Sequence, residues 1–179
     1  EILTLNDWLV TLDIEVSDNV KELGFNSKNR KLKRYFSCGD QTFSSGGRLF
    51  GGFWLDMSKE LRRDYLWLED ENICYLDIQN LAPTILYSMV GETPPKGDAY
   101  IVPGYEMYRD GVKSIFNSMT FSKTPITRFP KGMRKVFTDT DHRIGYVIGA
   151  IRKKHPAIFD LLNSEVGYKI QKAESDILI

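Results

Sequence analysis

The sequence predicts an α+β fold built around an incomplete antiparallel sheet. Three observations lead there. Residues 73–77, Ile-Cys-Tyr-Leu-Asp, form a short apolar run between an acidic turn at 69–72 and Gln79-Asn80, the pattern of a buried strand. Apolar residues then recur with helical spacing over 81–90, 105–122, 140–154 and from 156 onward. Connectors rich in Gly and Pro part these segments, and no stretch is repeated.

Taken in order, residues 6–23 mix their apolar spacing and fit helix or strand equally well. The run 28–34 packs five bases into seven residues. It leads into SSGGRLFGG (44–52), where Gly pairs on either side of Arg48 suggest a loop that bends tightly or approaches a ligand closely. FWLDMSKELRRDYL (53–66) reads as a short helix, followed by the 73–77 strand with Asp77 at its end. Over 81–90, Pro83 sits in the first turn, where its missing N–H is harmless, and Gly91 closes the helix. GETPPKGDAYIVPG (91–104) is a loop by composition. The 105–122 helix contains one Gly, and TPITRFPKGMRKVF (124–137) is a basic, Pro-punctuated connector. Thr140 or Asp141 is expected to cap a helix that ends before His155-Pro156. A last helical pattern from 156 is broken near Gly167.

Of 179 residues, 42% are hydrophobic and 12% aromatic, which excludes a disordered tail or a low-complexity chain. The longest apolar run, 81–91, is interrupted by Pro83, Thr84 and Ser88 and falls short of the ~20 residues that cross a bilayer. No membrane partner is expected. Cys38 and Cys74 have neither a disulfide framework nor zinc-ligand spacing, so free thiols in a cytoplasmic protein are expected. No secretory signal is visible in EILTLNDWLV, and ESDILI stops inside a helical pattern, so the native polypeptide is expected to continue.

The 24 basic and 24 acidic residues cancel, but they are segregated. Residues 64–110 hold nine acids against Lys96 and Arg109, whereas 111–155 hold ten bases against Asp139 and Asp141. A polyanion would meet basic stretches flanking an acidic one.

Arg109, Lys113, Asn117 and Phe121 lie four apart and form one slowly drifting helical stripe about 18 Å long. Two cations one turn apart, then an amide and a ring, suit a nucleotide: the cations meet phosphates and Phe121 stacks near a base or sugar. Taken alone, the same stripe fits a solvated edge with Phe121 in the core. Asp77, at a strand end before a turn, is placed as a Mg²⁺ ligand would be, because hard oxygen donors suit that ion; a turn or capping Asp is the plainer alternative. His142 and His155 are isolated and read as exposed or helix-terminal.

In order, GRLFGGFW, LDIQNLAPTILYSMVG, RDGVKSIFNSMTF and QKAESDILI resemble the palm and fingers of family A DNA polymerases, the DNA polymerase I-like enzymes, over residues 46–179. That family carries a T-G-R-L segment, a motif A of the form L-D-Y-S-Q-I-E-L-R, a fingers helix R-x-x-x-K-x-x-x-F-x-x-x-Y-G and a later Q-G-T-A-A-D helix. Single-subunit phage-type RNA polymerases share the superfamily and compete with this reading. The resemblance implies a basic or helical N-terminal segment at 1–45, part of a right-hand palm with motif A at 46–92, helical fingers at 93–155 and the start of a later palm helix at 156–179. It implies template-directed nucleotidyl transfer onto a primer 3′-hydroxyl by two Mg²⁺ ions, with nucleoside triphosphates and a primer–template duplex as partners. A phage or mobile-element setting fits it.

Within that resemblance, Asp77 matches the metal-binding aspartate, with the carbonyl of Ile78 beside it. Arg109 and Lys113 match the pair that grips the triphosphate, and Phe121 falls on the family's Tyr near the template base. Arg48 matches an arginine that contacts primer and template, and Gln171 a glutamine that touches the duplex. Asn117 stands where the family has Phe. Ala82 replaces the Glu that excludes a ribose 2′-hydroxyl, and Thr84 replaces an Arg. Phage-type RNA polymerases read that hydroxyl with a Tyr where Phe121 stands, so weak sugar discrimination is expected. The H-D-E hairpin of motif C, which brings the second carboxylate, is absent from these residues. A fragment or split enzyme completed by another segment or chain is therefore expected, with a catalytically silent nucleic-acid-binding protein as the alternative.

Overall fold

The computed structural model describes residues 1–18, 23–37, 42–74, 76–137 and 143–179. The class is α+β, with small, open antiparallel sheets. Two compact units divide the chain: Glu1–Asp77 with Ser175–Ile179, and Ile78–Glu174. The boundary falls inside the segment 46–92 that the resemblance groups as palm. Among the described residues, no helix is long and apolar enough to cross a membrane.

In the first unit, α1 (Ile2–Thr11) and β1 (Ile14–Val16) show that the ambiguous opening segment holds both a helix and a strand. A hairpin follows, β2 (Leu32–Phe36) antiparallel to β3 (Gly46–Gly51). The Gly-rich stretch expected to be a loop is therefore a strand. Its glycines permit the close backbone approach: Gly46 and Gly51 both have positive φ, and a Cβ on Gly51 would collide with the Lys31 carbonyl. A single 3₁₀ turn, Phe53–Leu55, precedes α2 (Lys59–Tyr65), which starts where the Ser58 side chain accepts the Leu61 N–H at 3.2 Å. β4 (Leu66–Leu68) lies between β1 and β5 (Glu71–Asn72) in a three-stranded antiparallel sheet. Leu9, Ile14, Val16, Leu32, Phe53, Met57 and Leu66 form the core.

The turn between β4 and β5 uses Glu69 and Asp70, both with positive φ, the two-residue geometry whose twist matches flanking strands. The expected strand 73–77 does not form. Leu68 and Trp67 pair with Glu71 and Asn72, and upstream of Leu66 the chain is already α2, so no backbone remains for residues beyond Ile73 to pair with. Ile73 packs on the core, Leu76 is 86% exposed, and Asp77 is exposed. Tyr75 of that run lies outside the described residues.

Among its described residues the second unit holds helices joined by loops and turns, with no strand. Its helices are α3 (Leu81–Val90), α4 (Arg109–Phe121), α5 (Ile144–Lys154) and α6 (Gly167–Ile177), the last of which extends past the unit boundary. α3 closes on Gly91 at φ 71°, as its sequence predicts. α5 begins at Ile144 with Arg143 at its N-cap; Thr140 and Asp141, the expected caps, lie outside the described residues, as does His142. Residues 156–166 form turns around a short 3₁₀ helix, Phe159–Leu161, instead of an α-helix. Asn163 and Glu165 adopt positive φ, and their N–H groups donate to the carbonyls of Met119 and Ser122 at 2.7 and 3.1 Å, tying this segment to the end of α4. Leu86, Val102, Val112, Ile115, Phe116, Val147, Ile151 and Ile158 are the centre of the core.

Candidate functional site

α4 buries Val112, Ile115, Phe116 and Met119, the i, i+3, i+4, i+7 face of an amphipathic helix. Burying that face fixes what the opposite one presents. There, Asp110, Lys113, Ser114, Asn117, Ser118 and Phe121, with Ser122 and Ile126 beyond the helix, line an open groove of about 810 Å³. Three of the four stripe residues, Lys113, Asn117 and Phe121, thus share one surface. The serines at 114, 118 and 122 form a second row at the same four-residue spacing, a signal that the stripe alone did not use.

Phe121 is 41% exposed. One side of its ring meets Tyr168 edge-on at 5.4 Å, and a Cβ on Gly167 would lie 2.7 Å from it. The ring is seated by α6 and is not a core residue. Lys113 is exposed, its ammonium 5.7 Å from the centre of the Tyr100 ring.

Arg109 does not line the groove. Its Nε donates to Asp98 Oδ2 at 2.6 Å and its Nη1 to Asp110 Oδ1 at 3.1 Å. Burial would raise the Asp98 carboxyl, but hydrogen bonds from Arg109 and the Tyr100 N–H, with the charges of Arg109 and Lys154, hold it below the usual aspartate range. The same pairing raises Arg109. Burial pushes the Tyr100 hydroxyl up to about 12. Lys154 Nζ donates to the carbonyls of Asp98 and Ile101, each at 2.6 Å. Asp98, Tyr100 and Lys154 are the members of this neighbourhood that the spacing of α4 could not reveal, because a loop brings the first two and the last residue of α5 is the third.

His155 is the C-cap of α5, in keeping with the helix-terminal reading, but it is fully buried and not solvent-exposed. Its Nε2 lies 2.8 Å from the Ala99 carbonyl and its Nδ1 3.2 Å from the Tyr87 hydroxyl. A carbonyl only accepts, so Nε2 carries the proton and Nδ1 accepts from Tyr87. Burial lowers its pKa. Asn80, at the N-cap of α3, makes no side-chain cap bond; its side chain donates to the Gly97 carbonyl and accepts the Ala99 N–H instead.

The remaining sites are dispersed. Ala82 is half-buried against the core and does not line the groove. Thr84 donates to the Asn80 carbonyl. Gln171 is half-buried on α6. Arg48 is exposed on β3 opposite Tyr35, beside the Lys33–Phe50 pair, so cations and aromatic rings alternate on that hairpin. Asp77 and Ile78 are exposed on either side of the unit boundary. Among the described residues, no three His, Cys, Asp or Glu come together as a metal-holding group. The lone Asp77 carboxylate does not fit a two-ion site by itself. Cys74 is exposed; Cys38 lies outside the described residues.

No family model, curated protein or solved structure matches this chain.

Proposed function

We propose that the chain is the nucleotide- and template-binding part of a polymerase-like, template-directed nucleotidyltransferase. The observation that carries this reading is the α4 groove, in which Lys113, Asn117 and Phe121 line one surface. Lys113 meets the phosphates, Phe121 stacks on the base or sugar, and Asn117 with the two helical serines offers polar partners to the remainder. Asp110, also in the groove, has its charge compensated by Arg109. Asp77 contributes one carboxylate to Mg²⁺ in this reading; two-metal transfer needs further donors, so nucleotide binding is what these residues carry by themselves.

A second reading, a polymerase-like nucleic-acid-binding protein that transfers nothing, is favoured by the engagement of Arg109 with Asp98. Titration with a fluorescent dATP analogue tests the groove. Lys113→Ala and Phe121→Ala are each expected to weaken binding about tenfold, the loss of one phosphate contact or one stacked ring; unchanged binding in both rejects the reading. Primer extension with Mg²⁺ separates the two functions. Extension lost in Asp77→Ala supports the transferase, and extension that survives it removes Asp77 from the site. No extension by a parent that still binds DNA supports the second reading. An extending enzyme is expected to use dNTP and rNTP comparably, and a preference above about a hundredfold contradicts the proposed lack of a sugar gate.

A further inference from the structure

A second cavity, of about 500 Å³, is lined by Thr127, Arg128, Phe129, Arg134, Arg143 and Ile144. Its size lies within the range of small-molecule and nucleotide sites. Three guanidinium groups line it, and no carboxylate is among its described lining residues. Between positions 123 and 135 the sequence has Lys123, Arg128, Lys131, Arg134 and Lys135 and no acid.

The local fold holds these cations in place. Met133 N–H donates to the Pro130 carbonyl at 2.9 Å and Gly132 takes φ 82°, which turns the chain so that Arg134 stacks over Phe129 at 5.3 Å. Phe129 in turn packs on the buried ring of Phe137 at 5.1 Å. Arg143 is the N-cap of α5, a helix of 11 residues with no side-chain cap and no acid in its first turn. The partial positive charge of that helix start adds to the three arginines.

We infer that this cavity binds the phosphodiester backbone of a single nucleic-acid strand, with Arg128 and Arg143 as its principal cations. The choice of nucleic acid over other phosphate-bearing ligands rests on the proposed polymerase-like function and on the Phe129–Ile144 wall, an apolar surface for sugar or base.

The test is fluorescence anisotropy of a labelled 12-nucleotide single-stranded DNA with the 179-residue chain and its Arg128→Ala/Arg143→Ala variant, both checked for folding by circular dichroism. The variant is expected to bind at least about tenfold more weakly at 0.1 M salt. The slope of log K against log salt is expected to fall by about 1.4, two phosphates at ~0.7 each for a single strand. The Arg128→Lys/Arg143→Lys variant should restore the slope but only part of the affinity, because an ammonium lacks the bidentate fork. Unchanged affinity and slope in the alanine variant overturn the inference. So does a parent that fails to bind the oligonucleotide but binds millimolar inorganic phosphate by calorimetry, with that binding lost in the alanine variant, which makes the cavity a free-phosphate site. The fluorescent dATP titration runs beside these arms: its failure with the oligonucleotide arms intact removes the α4 groove reading and leaves the arginine cavity standing.

Discussion

The imidazole of His155 lies between the Tyr87 hydroxyl and the Ala99 carbonyl, edge-on to Phe116, with no exposed surface. Its pKa in the folded chain is below the ordinary 6.5 because burial disfavours the charged form and Lys154 adds repulsion. Above pH 6.5 both states are neutral and His155 contributes no pH dependence. Below it the unfolded chain binds a proton that the folded chain refuses, so stability falls by up to about 1.4 kcal/mol per pH unit until the folded pKa is reached. Urea denaturation between pH 7 and 5.5 should show this decline, and His155→Gln should flatten it while lowering stability at pH 7 by about 1–3 kcal/mol through the disrupted buried hydrogen bonds. An equal slope in parent and variant contradicts the assignment. The Asp98–Arg109 pair, partly exposed on both sides, belongs to the same scale. A triphosphate that recruits Arg109 must compete with Asp98. Asp98→Asn is therefore expected to tighten dATP-analogue binding by about fivefold, the worth of roughly 1 kcal/mol for a partly exposed pair, without tightening that of the unphosphorylated nucleoside. Equal effects on both ligands would show that Arg109 never reaches the phosphates.

Helices 81–90 and 144–154 and the body of α4 were legible because their apolar residues recur at three and four positions and Gly91 or the His155-Pro156 pair ends them. Two strand readings were not. A five-residue apolar run looks the same in a buried strand and in a chain leaving a sheet, and only the end of α2 at Tyr65 decides that 73–77 lacks a partner. Conversely, the glycines of 46–51 mimic a loop while serving the tight ends of a hairpin strand. The α4 groove was three-quarters legible for a similar reason: one helix's spacing places Lys113, Asn117 and Phe121 together, but the diversion of Arg109 to Asp98 depends on where a loop returns. Gly167 connects α6 to this groove, since a methyl there would lie 2.7 Å from the Phe121 ring. Gly167→Ala is expected to leave stability within about 1 kcal/mol of the parent, because alanine favours helix and the half-exposed ring can rotate away. It should weaken the dATP analogue as Phe121→Ala does; unaltered binding would detach the ring from the site.

At the scale of the molecule, neutrality is a sum of opposites. The first unit carries 10 Lys and Arg against 15 Asp and Glu, and the second 14 against 9, so the formal charges are −5 and +5. Both proposed ligand surfaces, the α4 groove and the arginine cavity, lie in the positive unit. Binding of the oligonucleotide is accordingly expected to fall by about tenfold or more between 50 and 200 mM salt, since released counterions scale with the phosphates neutralised. A binding constant independent of salt contradicts an electrostatic site. The order of residues along the sequence exposed the segregation of charge but not its division between units, which arises because the fold groups the acidic 64–77 with the N-terminal half. The most direct measurement of the central proposal is photoaffinity labelling with 8-azido-dATP followed by peptide mapping. Labelling confined to the peptide spanning residues 113–122, suppressed by excess dATP and lost in Lys113→Ala, is the expected result. Labelling elsewhere, or labelling of that peptide unaffected by either dATP or the substitution, would show that the α4 groove does not hold a nucleotide.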